Sequence, residues 1–596
     1  MKKILFIIAA SVALFSCSDF LTQEPTAVLS TAEVSNPSMA EGAVIAAYAS
    51  LGNDHYDTPF SLWSYDGIRS GDSYKGGRDP NDIGDFGFME ICQSINNFGE
   101  FNSMWFALYC GIARANSALT LLNSLTDAQY AASGTATREQ RIAECKFIRA
   151  HYYFQLKILF NRIPYFDENV PTANYATTSN VALTSDQLWN KIAADFEYAF
   201  ANLPATQSQV GRVTKYAAEA YLAKTKLYQA YGMGNYNGST YVLTTPGQLP
   251  AFRKTAMDSV ITLCQDVITN GGYKLTSDFG YNFLPNGFNG GTFENGPESI
   301  WSIQYSENDG TLYGRLNYGD CLATPMGVGC CDFHKPSMNL FTAFRTNSQG
   351  LPVATNGFYS WPSNSNTTFT TDTVPNVNVN TVDPRIDHTI AIPGHMFKCD
   401  PTTIYDSAWN RTPSIYGYFA SLKENVTAGK TNFDYIHVGP FYENDKDRIV
   451  LRYADVILWL AEAQIQEGDV ADGMANINII RARAANSTGL LKFANGQYES
   501  NYRVGQYPTN LSQKTAFAAL QWERRLEFAM EGSRFFDLVR WGIASTYLNN
   551  YFQTESQGIP KYLAGGKFTA GRDEFIPIPL TQIEFSHGIY VQNPGY

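Results

Sequence analysis

Charge is scarce in this 596-residue chain, with Asp, Glu, Lys and Arg together at 16%. The balance leans acidic, at −12, and no run of lysine and arginine gathers anywhere. Nucleic acid and anionic membrane surfaces are therefore excluded as partners, since both need a basic patch. Histidines number seven and are scattered, with no His-Glu-x-x-His, and no Cys-x-x-Cys pair occurs. A zinc ribbon is excluded, and no metal site is assigned. There is no Gly-x-Ser-x-Gly elbow for a serine nucleophile. Gly429-Lys430-Thr431 has the tail of a P-loop, but Glu424 stands where its upstream glycine is required. A carboxylate there would repel phosphate, and no cofactor is expected. Past residue 17, no apolar stretch approaches the roughly 20 residues of a bilayer-spanning helix.

The N-terminal apolar run, residues 4–15, is also too short to span. It follows Met1-Lys2-Lys3 and leads into Leu14-Phe15-Ser16-Cys17. A positive start, a short apolar stretch and a small residue before a cysteine resemble a bacterial lipobox. Residues 1–16 are thus expected to be a lipoprotein signal peptide and Cys17 the lipidated residue, tethering a soluble globule to a membrane.

Aromatics are abundant: 37 Tyr, 38 Phe and 9 Trp, 14% of the chain. Tyr and Trp combine a flat apolar face with a polar tip, which suits partly wet contacts such as sugar rings. The phenylalanines are assigned mostly to the core. Among the cysteines, Cys110 and Cys145 fall on apolar helix faces and read as buried thiols. Cys321, Cys330, Cys331 and Cys399 lie in loop-like sequence and are disulfide candidates whose connectivity stays open.

Helical periodicity marks 139–160, where Ile142, Cys145, Ile148, Tyr152, Leu156 and Leu159 recur every three or four residues. Further helices are expected over 185–203, the alanine-rich 212–231, and 257–269. Segments 451–466 and 471–484, joined by Glu467-Gly468-Asp469, resemble a tetratricopeptide hairpin. Between about 275 and 445 the periodicity vanishes into Gly, Asn, Pro, Ser, Thr and Tyr. A second loop-rich, aromatic stretch covers about 53–100. Long loops on a helical scaffold usually carry function, and both stretches are expected to share one binding face.

Several blocks resemble the SusD/RagB family: Glu144-Cys145-Lys146-Phe147-Ile148-Arg149-Ala150, Gly211-Arg212-Val213-Thr214-Lys215, and Leu451-Arg452-Tyr453-Ala454-Asp455. More specific are Glu523-Arg524-Arg525-Leu526-Glu527-Phe528, continuing through Asp537 to Arg540-Trp541, and the closing Gln592-Asn593-Pro594-Gly595-Tyr596. The resemblance runs from residue 17 to the C-terminus. It implies a mainly α fold, a tetratricopeptide-like helical-repeat scaffold with a long loop-rich ligand-binding region. On this reading 17–275 is an N-terminal helical part with binding loops, 276–445 the ligand face, and 446–596 a C-terminal helical part. The resemblance further implies an outer-membrane, cell-surface lipoprotein that passes oligosaccharide, or peptide in the RagB branch, to a SusC-like TonB-dependent transporter. A surface glycosidase is the remaining alternative, because two catalytic carboxylates need no fixed spacing.

The charges of 523–540 recur at helical spacing and are assigned to holding the scaffold rather than to catalysis. Ligand contact is assigned to loop aromatics and their polar neighbours: Trp63, Tyr65, Asp66, Arg69, Asp72 and Tyr74 in the first loop region. In the second they are Trp301, Tyr305, Tyr313, Tyr318, Trp361, Trp409, Tyr416 and Tyr418.

Overall fold

In a computed structural model the described residues are 36–131, 136–233, 236–237, 240–241, 251–307, 309–310, 315–353, 381–427, 436–438 and 441–596. Cys17, Tyr313 and Trp361 lie outside them. The scaffold helices are α1 (Pro37–Ala49), α2 (Gly99–Asn123), α3 (Arg138–Phe160), α4 (Ser185–Asn202), α5 (Lys215–Ala230), α6 (Ala251–Asn270), α7 (Tyr453–Glu467), α8 (Val470–Ala485) and α9 (Gln513–Phe528). Local chemistry sets their ends. Thr137, Thr184 and Thr214 each accept a backbone N–H in the first turn, and Gln187 completes a capping box with Thr184. Gly468, at φ +100°, closes α7 in the left-handed conformation that a side chain disfavours.

Each helix packs on its chain neighbours, α2 on α3, α3 on α4, α4 on α5 and α5 on α6, as a helical-repeat scaffold does. The series continues from α6 directly to α7, so the described residues between these two helices form an insertion in the repeat series. That segment holds short helices and two-stranded ladders. Strand β1 (Ser73–Gly76) pairs antiparallel with β3 (Phe333–Pro336), and β2 (Ser299–Ile303) with β5 (Arg448–Arg452). Strand β4 (Phe441–Glu443) pairs with 436–438. The main hydrophobic core runs from Ala47 to Tyr590, with smaller cores beside it, one of them around Phe341.

The charged 523–540 segment departs from expectation, being two helices rather than one. After α9 the chain breaks over 529–533 before α10 (Arg534–Arg540). Gly532, at φ +77°, lies against the Ser61 carbonyl, where a side chain would collide. The charges do hold the scaffold, mostly between elements rather than along one helix. Glu527 accepts from Arg385 at 2.8 Å and from Arg452 at 2.5 Å, and pairs with Arg483. Glu523 takes Arg481 and Arg385, Arg524 takes Asp537, Arg525 takes Asp72 and Arg540 takes Glu462. These ions are buried, so removing one partner leaves an uncompensated charge.

Among the described residues no helix is long and apolar enough to cross a membrane. Cys330 and Cys331 form a disulfide, while Cys321 and Cys399 are buried free thiols. Cys145 is buried and Cys110 half-buried.

Candidate functional site

The two loop-rich regions meet at the surface. His55 and Tyr56, Tyr318, and Phe441 on β4 gather into one half-buried aromatic group packed on the main core. Ring centroids lie 4.7 Å apart for His55–Tyr318, 5.2 Å for Tyr56–Phe441 and 5.6 Å for Tyr318–Phe441. The rings are tilted or edge-on to one another rather than stacked. Each therefore covers part of its neighbour without closing the group to solvent. Tyr442 follows on β4, also half-buried.

Acids surround this platform. Asp57 hydrogen-bonds the His55 ring, and the two side chains are 29% and 42% exposed. Behind them Glu443 is buried with Oε1 unpartnered. Burial pushes its carboxyl up to about 7, against the pull of His55. Burial also raises the Tyr318 hydroxyl to about 12, helped by Cys321 and Glu443 nearby. Tyr318 thus stays a neutral hydrogen-bonding phenol at physiological pH. Partly exposed ring faces beside a carboxylate and a neutral phenol can press on C–H faces and pair with hydroxyls, as a neutral sugar requires.

Most of the residues assigned from sequence are not on this surface. Trp63, Tyr65, Tyr74, Trp301, Tyr305 and Tyr416 are core residues with their rings turned inward, as are Asp66, Arg69 and Asp72. In the structure these nine side chains are packed inside the fold, and none of them lies on the platform. Loop composition marked the region but not the direction in which a ring faces. Trp63 Nε1 donates to the Gly319 carbonyl at 3.1 Å, beneath Tyr318. The Tyr65 hydroxyl donates to the carbonyls of Glu100 at 3.0 Å and Asp57 at 3.5 Å, beneath the His55–Asp57 turn. Asp66 accepts the Phe535 N–H at 2.7 Å, Arg69 lies 3.9 Å over the Phe535 ring, and Asp72 pairs with Arg525. Tyr74 donates to Glu555, and Trp301 donates to the Gly211 carbonyl while packing on Phe147 and His151. Tyr305 reaches Asp54, and Tyr416 packs edge-on against Tyr562.

Tyr318, Trp409 and Tyr418 remain half-buried. Tyr418 packs on a separate small core around Phe341, and Trp409 packs edge-on against Phe397 and Tyr405. Sequence reasoning missed His55, Tyr56, Phe441 and Tyr442. Their one signal was position inside or at the edge of the two loop regions.

Two concave features lie elsewhere. A cavity of about 140 Å³ is lined by aromatic side chains, Trp63, Phe154, Tyr221 and Phe283 among them, together with ionic groups including Lys423, Glu424, Arg448 and Glu531. A wider groove of about 820 Å³ runs past Ile45, Tyr48, Val210, Arg212 and Arg315. Among the described residues, the wider groove has a single aromatic side chain, Tyr48, along it. Among the described residues no three His, Cys, Asp or Glu side chains are disposed to hold a metal ion. In the acidic 79–85 loop, Asp79 and Asp82 are engaged by Arg78 and Arg411.

Known proteins share this architecture. A family model described as "SusD family" matches residues 297–596, and one described as "Starch-binding associating with outer membrane" matches residues 81–227. SusD-like protein P2 of Formosa agariphila is 24% identical, over 100% of this chain and 99% of its own length. A SusD-like protein of Bacteroides fragilis superposes with a TM-score of 0.67 at 19% identity, covering 95% of this chain and 99% of the other. Surface glycan-binding protein A of Bacteroides thetaiotaomicron, solved in complex with laminarihexaose, superposes at 0.60 and 20% identity, covering 93% and 99%. With half its length matched by the family model and the helical-repeat architecture in place, the chain belongs to the SusD family.

Proposed function

We propose that this protein captures oligosaccharide at the cell surface, on the platform of His55, Tyr56, Tyr318 and Phe441, and hands it to a SusC-like TonB-dependent transporter. The observation that carries this reading is the convergence of two distant loop regions on one partly exposed aromatic surface bordered by Asp57. Family membership supports it, as does the laminarihexaose complex of a structural neighbour. The protein acts by binding without turnover, held at the outer membrane through a lipidated Cys17.

An open platform recovers little buried area against the cost of ordering a flexible ligand. Dissociation constants on the order of micromolar to millimolar follow, about −8 to −4 kcal/mol. Calorimetry of the purified protein against neutral α- and β-glucan, xylan and mannan oligosaccharides tests the reading, with peptides as a second panel. Heat from a glycan series, with no new reducing ends on prolonged incubation, is the expected outcome. New reducing ends would establish a glycosidase instead. Binding of peptides alone would move the function to the RagB-like alternative. The feature favouring that alternative is the groove beside Arg212 and Arg315, whose exposed Ile45 and Val210 suit a peptide better than a sugar.

A further inference from the structure

Beside the platform lies a tight turn over residues 325–329. Pro325 accepts the N–H groups of Val328 and Gly329 at 3.1 and 3.0 Å, and Thr324 pairs with Cys331 in a short bridge. The turn is wedged between two aromatic side chains. A side chain at Gly327 would run into the Trp409 ring, and one at Gly329 into Tyr442. The Thr324 hydroxyl donates to the Tyr442 carbonyl at 3.3 Å, and the Met326 N–H to the Trp409 carbonyl at 2.9 Å. Met326 is 41% exposed and Cys330 half-buried, while Cys331, to which it is joined, is buried in the main core. The turn that leads into the disulfide therefore sits between Trp409 and Tyr442, and Tyr442 adjoins Phe441 of the platform.

We infer that the Cys330–Cys331 disulfide, with Trp409 and Tyr442 on either side, is a second sugar-binding subsite that extends the platform and makes the protein favour longer chains. The inference rests on the glycan reading of the platform. Its physical basis is the chemistry of the bridge. Disulfide sulfurs are polarisable, apolar and without a proton to donate, so they press well against a C–H face. Two adjacent bridged cysteines hold no free rotamers, so the contact forms without the side-chain ordering that a methionine or lysine there would require. The two glycines bring the strip close to both rings. Through its half-buried Cys330 the bridge thus supplies contact surface as well as a covalent link.

The test compares the tightest-binding neutral hexasaccharide of the panel with the trisaccharide of the same linkage. The native protein should bind the hexasaccharide about tenfold or more tightly over the trisaccharide. Cys330→Ala/Cys331→Ala should bring that preference to within about threefold while leaving trisaccharide affinity unchanged. A second measurement needs no variant. A water-soluble phosphine cleaves the bridge to two thiols, itself becoming phosphine oxide with oxygen from water. Saturating hexasaccharide should slow that cleavage, and saturating trisaccharide should not. An unchanged chain-length preference in the double variant, together with unprotected cleavage, overturns the inference and leaves the platform standing. No glycan binding at all, or binding indifferent to Tyr318→Ala, overturns the platform reading and this inference with it.

Discussion

The indole N–H of Trp63 donates to the carbonyl of Gly319 at 3.1 Å, so a buried tryptophan props up the loop that displays Tyr318. The loop is braced from the other side as well. The Asn317 N–H reaches the Asn444 carbonyl at 2.9 Å, and the Asn317 side chain donates to Asp320 at 2.8 Å. Trp63 therefore acts on ligand through position, whereas Tyr318 acts through contact. Trp63→Phe keeps most of the packing and deletes one hydrogen bond worth about 1 kcal/mol. Calorimetry should show binding weakened by about three- to tenfold with a small change in melting temperature. Unchanged affinity would show that the loop holds itself.

Ring faces on the platform and ring faces in the core separate by opposite readouts. Tyr318→Ala or Tyr56→Ala should weaken glycan binding about threefold to tenfold or more, since each removes a stacking surface, with the far-ultraviolet circular dichroism unchanged. Trp301→Ala, deep against Phe147 and His151, should instead cost about 3–5 kcal/mol of stability while the folded fraction binds normally. The reverse pattern would return the site to the core tryptophan.

Arg385 is fully buried and bridges Asp383, Glu523 and Glu527 at 2.7 to 2.8 Å. Arg385→Ala strands three carboxylates and should destabilise the fold by about 3–5 kcal/mol in chemical denaturation. A loss below about 1 kcal/mol, typical of exposed pairs, would mean that water reaches this network.

Stability should fall on both sides of a mildly acidic optimum. Burial opposes ionisation of Glu527, but Arg483, Arg452 and Arg385 outweigh it and hold the carboxyl far below the ordinary 4.5. Its contribution is present above the unfolded value and is lost as pH drops below about 4.5. Asp66 and Glu555 shift the other way, each pushed by burial up to about 7. Their contribution is complete below their unfolded values and is lost as pH rises through 7. Melting temperatures recorded from pH 3 to 8 should peak near pH 5. A profile that climbs steadily to pH 8 would contradict the raised pair.

Cys17→Ala should abolish fatty-acid labelling and release the protein from the outer membrane, measured by metabolic labelling and fractionation. Labelling that persists in the variant would remove the anchor.

Much of the scaffold was legible because helices are written locally. The three-and-four spacing of Ile142, Cys145, Ile148 and Tyr152 predicted 139–160, and the helix runs Arg138–Phe160. Thr214 caps and Gly468 terminates within a turn of the expected positions, since capping depends on neighbours in sequence. The break between α9 and α10 escaped that reasoning, because its cause is the distant Ser61 carbonyl against Gly532.

By itself the sequence determined the helical scaffold, the two loop regions and the family blocks, all of which rest on period, composition or short motifs. Which aromatics face outward was decided only by tertiary structure. Trp63 and Tyr56 stand seven positions apart in the same loop-rich stretch, yet one is core and the other platform. A loop ring faces inward or outward according to what the rest of the chain packs over it. For Trp63 that cover is Phe86 and Phe333, while Tyr56 meets Tyr318 and Phe441 at the rim. Apart from Trp63–Phe86, these contacts span hundreds of residues, and no local pattern encodes them.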